Sequence, residues 1–224
     1  MNAVVPIVIR GDSMIDLSFE MQALVDQLEP IFRPGGKGRV LMFLGASKRA
    51  GTSTIAREFA RVAADRSRRG VWLYDLDFAR NSHAGALARP NAKVFDASFG
   101  RNAFWRAEPQ GARARLVAKD CGSHLYVTEF QRARSGVERL EFGGAREYWN
   151  AVRGSIDLAV IDAPGASRAV LPVAADADGV ILVADENSWN ERSIAARREA
   201  IEGRGGVVAG IVCNRSRVAS QRAA

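Results

Sequence analysis

Short apolar runs alternate along this chain with segments whose apolar residues recur at helical spacing. "RVLMFLG" (39–45), "VWLYDLD" (71–77), "HLYVTEF" (124–130), "IDLAVIDAPG" (156–165), "GVILVAD" (179–185) and "GVVAGIVCNR" (206–215) each read as a strand. The most continuous of them suit burial on both faces of a sheet. Residues 13–32 place Leu17, Met21, Leu24, Val25 and Leu28 along one helix face, ended near Pro30 and Pro34. From Thr54 onward Ile55, Phe59, Val62 and Ala63 make a second face, with Gly70 expected as the closing glycine. A third helix is expected to open with Ser188 and Glu191 at capping-box spacing and to end near Gly203. Strands alternating with helices predict an α/β fold, a doubly wound, mostly parallel sheet with helices on both faces.

No linker or internal repeat divides residues 1–224, so one domain is expected. Residues 1–35 read as an N-terminal arm and helix, "MNAVVPIVIRGD" being either a flexible arm or an edge strand. It lacks a basic start, which argues against an export signal. Residues 90–123, rich in charge and glycine, read as an irregular surface excursion, and 216–224 as a solvated, frayed tail.

Composition narrows the chemistry. Cys121 and Cys213 have no C-x-x-C spacing, and only His83 and His124 accompany them, so a structural zinc site is not expected. No apolar run approaches the roughly 20 residues that span a bilayer, so a cytoplasmic protein is expected. The net charge is +7, from 32 Lys and Arg against 25 Asp and Glu, and the basic residues are mostly arginine. That excess suits either phosphates, acidic lipid or nucleic acid, or a basic surface with no dedicated partner. The arginines are scattered without an aromatic ladder, so nucleic acid is not the expected partner.

"FLGASKRAGTSTIAREFA" (43–60) carries the candidate chemistry. A phosphate loop works because backbone N–H groups at a strand-to-helix turn point at one anion, aided by the helix dipole. A lysine then reaches the outer phosphates, and a Ser or Thr hydroxyl binds Mg²⁺. Here Lys48, Arg49, Ala50, Gly51, Thr52, Ser53 and Thr54 form the candidate nucleotide-binding turn. Thr52 stands at the lysine position, and Ser53 where the magnesium ligand belongs. Arg49 stands where a second glycine is usual, so a left-handed backbone there would cost about 1–2 kcal/mol. Losing the lysine removes a charge-assisted bond of about 1.5–3 kcal/mol, unless Lys48 or Arg49 swings in.

Three further stretches end at the same expected sheet edge. "DLDFAR" offers Asp75, Asp77 and Arg80; carboxylates two apart on a strand end would point the same way. "VIDAPG" places Asp162 at another strand end, and "IVCNR" places Asn214 where it could read an adenine edge or simply form a turn. Asp75, Asp77 and Asp162 are the catalytic candidates if the protein is active; Ser53, Asp75 and Asp162 are the candidate Mg²⁺ ligands, beside Mg–ATP or Mg–ADP. His83, in "ARNSHAGAL", reads as a surface-loop histidine more readily than as a base.

In order, these motifs resemble the phosphate-loop ATPases of the chromosome-partition and septum-site type. More closely they resemble the cytoplasmic domain of bacterial tyrosine autokinases of capsule and exopolysaccharide synthesis. That family's loop reads S-x-x-P-G-E-G-K-S-T-x-A, against "SKRAGTSTIA" here; its D-x-D-x-x-R is "DLDFAR", and its D-[ST]-P-P is "DAPG". The resemblance runs from about residue 15 to 215. It implies a nucleotide at the strand ends and a membrane-anchored polysaccharide co-polymerase that recruits the protein to the inner membrane face. It also implies self-association through the first helix, although "SFEMQALVDQL" lacks an arginine-rich contact motif. The departures are Thr52 for lysine, Arg49 for glycine, Lys48 for proline, Gly165 for the second proline, and no tyrosine after Asn214. Three readings follow: a kinase-like accessory protein of polysaccharide export, weak or inactive as a kinase; an active tyrosine kinase or ATPase; or a partition-type positioning ATPase.

Overall fold

A computed structural model of the chain describes residues 6–10, 17–28, 36–100, 102–109, 113–132, 137–163, 168–186 and 189–216. Its elements are β1 (Pro6–Arg10), α1 (Ser18–Leu28), β2 (Arg39–Gly45), α2 (Thr52–Ala64), β3 (Val71–Asp75), α3 (Ser82–Leu87), β4 (Val94–Asp96), β5 (Trp105–Glu108) and β6 (Ala114–Gly122). They continue with β7 (Leu125–Arg132), β8 (Arg139–Phe142), α4 (Arg146–Ser155), β9 (Leu158–Ala163), α5 (Leu171–Ala174), β10 (Gly179–Asp185), α6 (Glu191–Glu202) and β11 (Val208–Ser216).

The main sheet has nine strands in the order β1-β11-β10-β2-β9-β3-β7-β6-β4. From β1 to β7 every neighbouring pair is parallel; β7–β6 and β6–β4 are antiparallel. The central strands are apolar throughout because helices cover both faces. On one face Met21, Leu24 and Val25 of α1 and Ile55, Phe59 and Val62 of α2 pack with Leu41, Phe43, Val160 and Val183. On the other, Trp149 and Val152 of α4 and Ile194 and Ile201 of α6 pack with Met42, Leu44, Ile161 and Leu182. Trp149 lies 5.2 Å from Tyr74 and 4.9 Å from Phe104, ring centre to ring centre, so this tryptophan is core. The fold is thus α/β, doubly wound on a mostly parallel sheet.

Residues 90–123 depart from the irregular excursion expected of them. They contain β4, β5 and β6, and β6 pairs with β7 along a hairpin closed by Gly122, Ser123 and His124, all at positive φ. Only Leu116, Val117 and Ala118 of β6 are buried. A strand that leaves most of its length wet can carry Arg115, Lys119 and Asp120, and those charges hide its apolar alternation. Gly70 is not the end of α2 either: that helix ends at Ala64, capped by Asp65, and Gly70 (φ 104°) turns the chain into β3. The cap of α6 is Asn190, whose side chain accepts from the Ser193 N–H at 3.1 Å. Ser188, Gly165 of the third motif and residues 217–224 lie outside the described residues.

Candidate functional site

The strand register puts the candidate residues along one sheet edge. Phe43 of β2 lies opposite Asp162 of β9, and Asp162 lies opposite Asp75 of β3. On the other side of β2, Asp185 closes β10 level with Asn214 of β11. These are the C-terminal ends of parallel strands, where open α/β sheets bind ligands.

The loop after β2 has the backbone of an anion cradle. Ala46 N–H donates to the Val183 carbonyl at 2.8 Å, fixing the exit of the strand. Arg49 sits at φ 61° and Gly51 at φ 84°, ψ 17°, and α2 starts at Thr52. Gly51 caps the helix with no side chain to accept from its first N–H groups, the arrangement that a phosphate site at a helix start uses. Ala50 and Thr52 are buried, while Lys48, Arg49, Ser53 and Thr54 are exposed. The residue in the lysine's place therefore packs inward, and the loop presents Ser53 and Thr54.

Asn214 does not present its amide to a ligand as an adenine reader would. Its Nδ2 donates to the Ala50 carbonyl at 2.9 Å, and a Cβ on Gly51 would sit 2.1 Å from that nitrogen. Gly51 is therefore fixed twice, by its left-handed backbone and by the amide packed against it. Asn214 acts as a clamp between β11 and the loop.

The acidic residues divide. β3 ends at Asp75, so Asp77 does not share a strand face with it; the Asp77 N–H turns back to donate to Asp75 Oδ1 at 2.9 Å. Asp77 instead faces Arg80 across 3.9 Å at the rim, where Arg80 is 82% exposed. Asp75 is 1% exposed. Its Oδ2 accepts from Ser82 Oγ at 3.2 Å and from His83 N–H at 3.1 Å, tying down the start of α3. Thr128 Oγ1 receives the Asp75 N–H at 3.1 Å. Burial raises the Asp75 carboxyl above the usual carboxylate range; the His83 N–H opposes this, and neighbouring Asp162 adds to it.

His83 overturns its expected place on a surface loop. It is 1% exposed, and its Nε2 lies 2.8 Å from Asp162 Oδ2. Asp75, His83 and Asp162 form one buried cluster. The sequence signal for His83 is weak, because α3 is six residues of mostly small side chains with no apolar period. What pulls it inward is Asp75, which holds the two residues Ser82 and His83 at once. A phosphate at the head of α2 would meet backbone donors there, and Ser53, which is exposed, is the residue that could hold a Mg²⁺ beside it. Asp162, however, is engaged by an imidazole rather than held open for magnesium-bound water.

No family model matches the chain, and no curated protein is similar to it. Several solved structures are similar. The chimerical protein CapA2B2 matches with TM-score 0.64 at 16% identity, covering 95% of each chain. The kinase domain of Escherichia coli tyrosine kinase ETK matches at TM-score 0.58 and 16% identity, over 92% of this chain and 79% of that one. A nucleotide-binding protein from Archaeoglobus fulgidus, in complex with ADP, matches at TM-score 0.50 and 16% identity, over 88% and 71%. At these identities the likeness shows the fold alone: a mostly parallel α/β sheet with helices on both faces, of the kind found in those tyrosine kinase domains and that nucleotide-binding protein. No described helix is long and apolar enough to cross a membrane.

Proposed function

We propose that this chain is a kinase-like accessory protein of exopolysaccharide synthesis and export, which binds a membrane-anchored polysaccharide co-polymerase and is weak or inactive as a tyrosine kinase. The observation that carries this reading is the loop itself. It keeps the left-handed backbone at Arg49 and Gly51 and the helix start, while a buried threonine replaces the phosphate-reaching lysine. Without that charge, nucleotide affinity falls by roughly ten- to a hundredfold, and the transferred phosphoryl loses its main counter-charge. The buried acids at the strand ends cannot restore it, because carboxylates carry no positive charge, and Asp162 already faces His83. Binding is the activity left, with Mg–ATP or Mg–ADP as a weak ligand of residues 48–54 and the co-polymerase tail docking nearby.

A second reading keeps the protein an ATP-dependent kinase or ATPase. It is favoured by the exposure of Lys48 and Arg49 on the loop, from which either could reach a phosphate. Calorimetry with Mg–ATP and Mg–ADP, run beside binding to the co-polymerase's cytoplasmic tail and phosphotyrosine detection, separates the two. Stoichiometric tail binding without phosphotyrosine supports the accessory role. ATP turnover that vanishes in Asp162→Ala overturns it in favour of the enzyme. Retention on DNA that falls steeply with salt would instead revive the partition-type reading.

A further inference from the structure

Asp75, His83 and Asp162 arrive from three elements, β3, α3 and β9, and each offers a donor atom within 4.8 Å of the others'. All three are buried, at 1%, 1% and 5% exposure. His83 uses only one of its nitrogens: Nε2 meets Asp162, while Nδ1 is buried with no hydrogen-bond partner. A histidine that ligates a metal divides its ring in this way, one nitrogen on the ion and the other N–H on a carboxylate. His83 has the carboxylate and an unused nitrogen.

We propose that the Asp75–His83–Asp162 cluster binds one divalent metal ion of the imidazole-accepting class, zinc, in the absence of nucleotide. His83 Nδ1 and the Asp75 carboxylate are the donors, and Asp162 orients the ring through Nε2–H. Magnesium is the poorer occupant, because it favours oxygen ligands in near-ideal octahedral geometry, whereas imidazole suits zinc and its neighbours. A bound dication also answers an electrostatic question, since two carboxylates share this buried space and, among the described residues, neither is paired with an arginine or lysine. The site needs neither Ser53 nor a phosphate. It shares Asp75 and Asp162 with the candidate Mg²⁺ site, but zinc binding without nucleotide is measured separately from Mg–nucleotide binding.

The test uses the full chain, stripped with chelator and titrated with ZnCl₂ and separately with MgCl₂, without nucleotide. One zinc per chain is expected, with magnesium binding at least tenfold weaker. His83→Gln and Asp75→Asn should each weaken zinc at least tenfold and abolish its rise in melting temperature. His124→Gln, which alters the exposed histidine of the β6–β7 turn near Cys121, should leave binding unchanged. X-ray absorption at the zinc edge of the unaltered chain should show imidazole and oxygen neighbours without sulfur, a readout that stands even if His83→Gln fails to fold. Absence of stoichiometric zinc overturns the proposal. So does zinc that follows His124 or shows sulfur, and so does magnesium that binds as tightly as zinc.

Discussion

Aspartates stand at both ends of the central strands, and the two ends of the sheet treat them differently. At the entry edge, Asp157 accepts from Ser67 Oγ (2.9 Å), Arg68 N–H (2.8 Å), Arg69 N–H (2.8 Å) and Arg69 Nε (2.7 Å). Asp178 accepts from Val40 N–H (2.7 Å) and Arg153 Nε (2.9 Å). Each is matched by a guanidinium and by backbone donors, an arrangement that holds turns to strands. At the exit edge, Asp162 meets an imidazole, and Asp75 lies beside it with backbone and hydroxyl donors but no arginine. Stability alone does not favour two carboxylates side by side in a buried place. The entry edge holds turns to strands, and the exit edge is the one we propose as a ligand site.

The largest effect that sharpens this contrast is expected from Asp162→Ala. It leaves His83 buried without its partner and should lower unfolding free energy by about 3 kcal/mol, in the range for breaking a buried pair. Urea denaturation measures it, and a loss under about 1 kcal/mol would mean that the pair does not tie α3 to β9. Next is Thr52→Lys, which returns the missing charge to the loop. Calorimetry should show Mg–ATP binding tightened by about ten- to a hundredfold. No gain would mean that the turn before α2 is a structural bend and not a phosphate cradle. Gly51→Ala follows: a side chain at φ 84° that must also displace the Asn214 amide should cost about 2 kcal/mol in the same urea assay. A neutral outcome there would remove the reason for a glycine at that position.

Much of the exit edge is legible in the amino-acid sequence. Strands buried on both faces write themselves as unbroken apolar runs, so β2 and β10 coincide with the runs 39–45 and 179–185. The acid after such a run marks a strand end, which is how Asp75 and Asp162 stand out. The left-handed residue at position 49 also follows from loop spacing. β6 stays hidden because a half-wet antiparallel strand mixes charge into its alternation. His83 stays hidden for another reason: no period places it inward, and only the carboxylate of Asp75, reached through the fold of residues 75–83, draws it in. Asn214 is visible as a residue at a strand end, but its target is a carbonyl 164 positions earlier in the chain. Contacts that depend on a crossover elsewhere in the sheet leave no local pattern.

The smallest effect distinguishes the two edges by the sign of their response to acid. Burial alone would raise the Asp157 carboxyl, but hydrogen bonds from the Arg69 N–H and guanidinium, and from Arg68 and Ser67, outweigh it and hold the group down at about 2. A carboxyl depressed in the folded state stabilises it above the ordinary carboxylate value of about 3.9, and that contribution fades as pH falls toward about 2. Asp157 is partly open to solvent, so screening limits the contribution to about 1 kcal/mol. Asp157→Asn should therefore be less stable than the parent chain by about that amount near neutral pH, with the gap closing in acid. Asp75 carries the opposite sign, because its raised carboxyl favours the proton in the fold, so its contribution is greatest in acid and is lost as pH rises through its folded value. Asp75→Asn should accordingly change the slope of stability against pH in the opposite sense to Asp157→Asn. If urea titrations from about pH 3 to 7 moved both slopes the same way, the two edges would not differ in kind, and the exit edge would lose its claim to be the site.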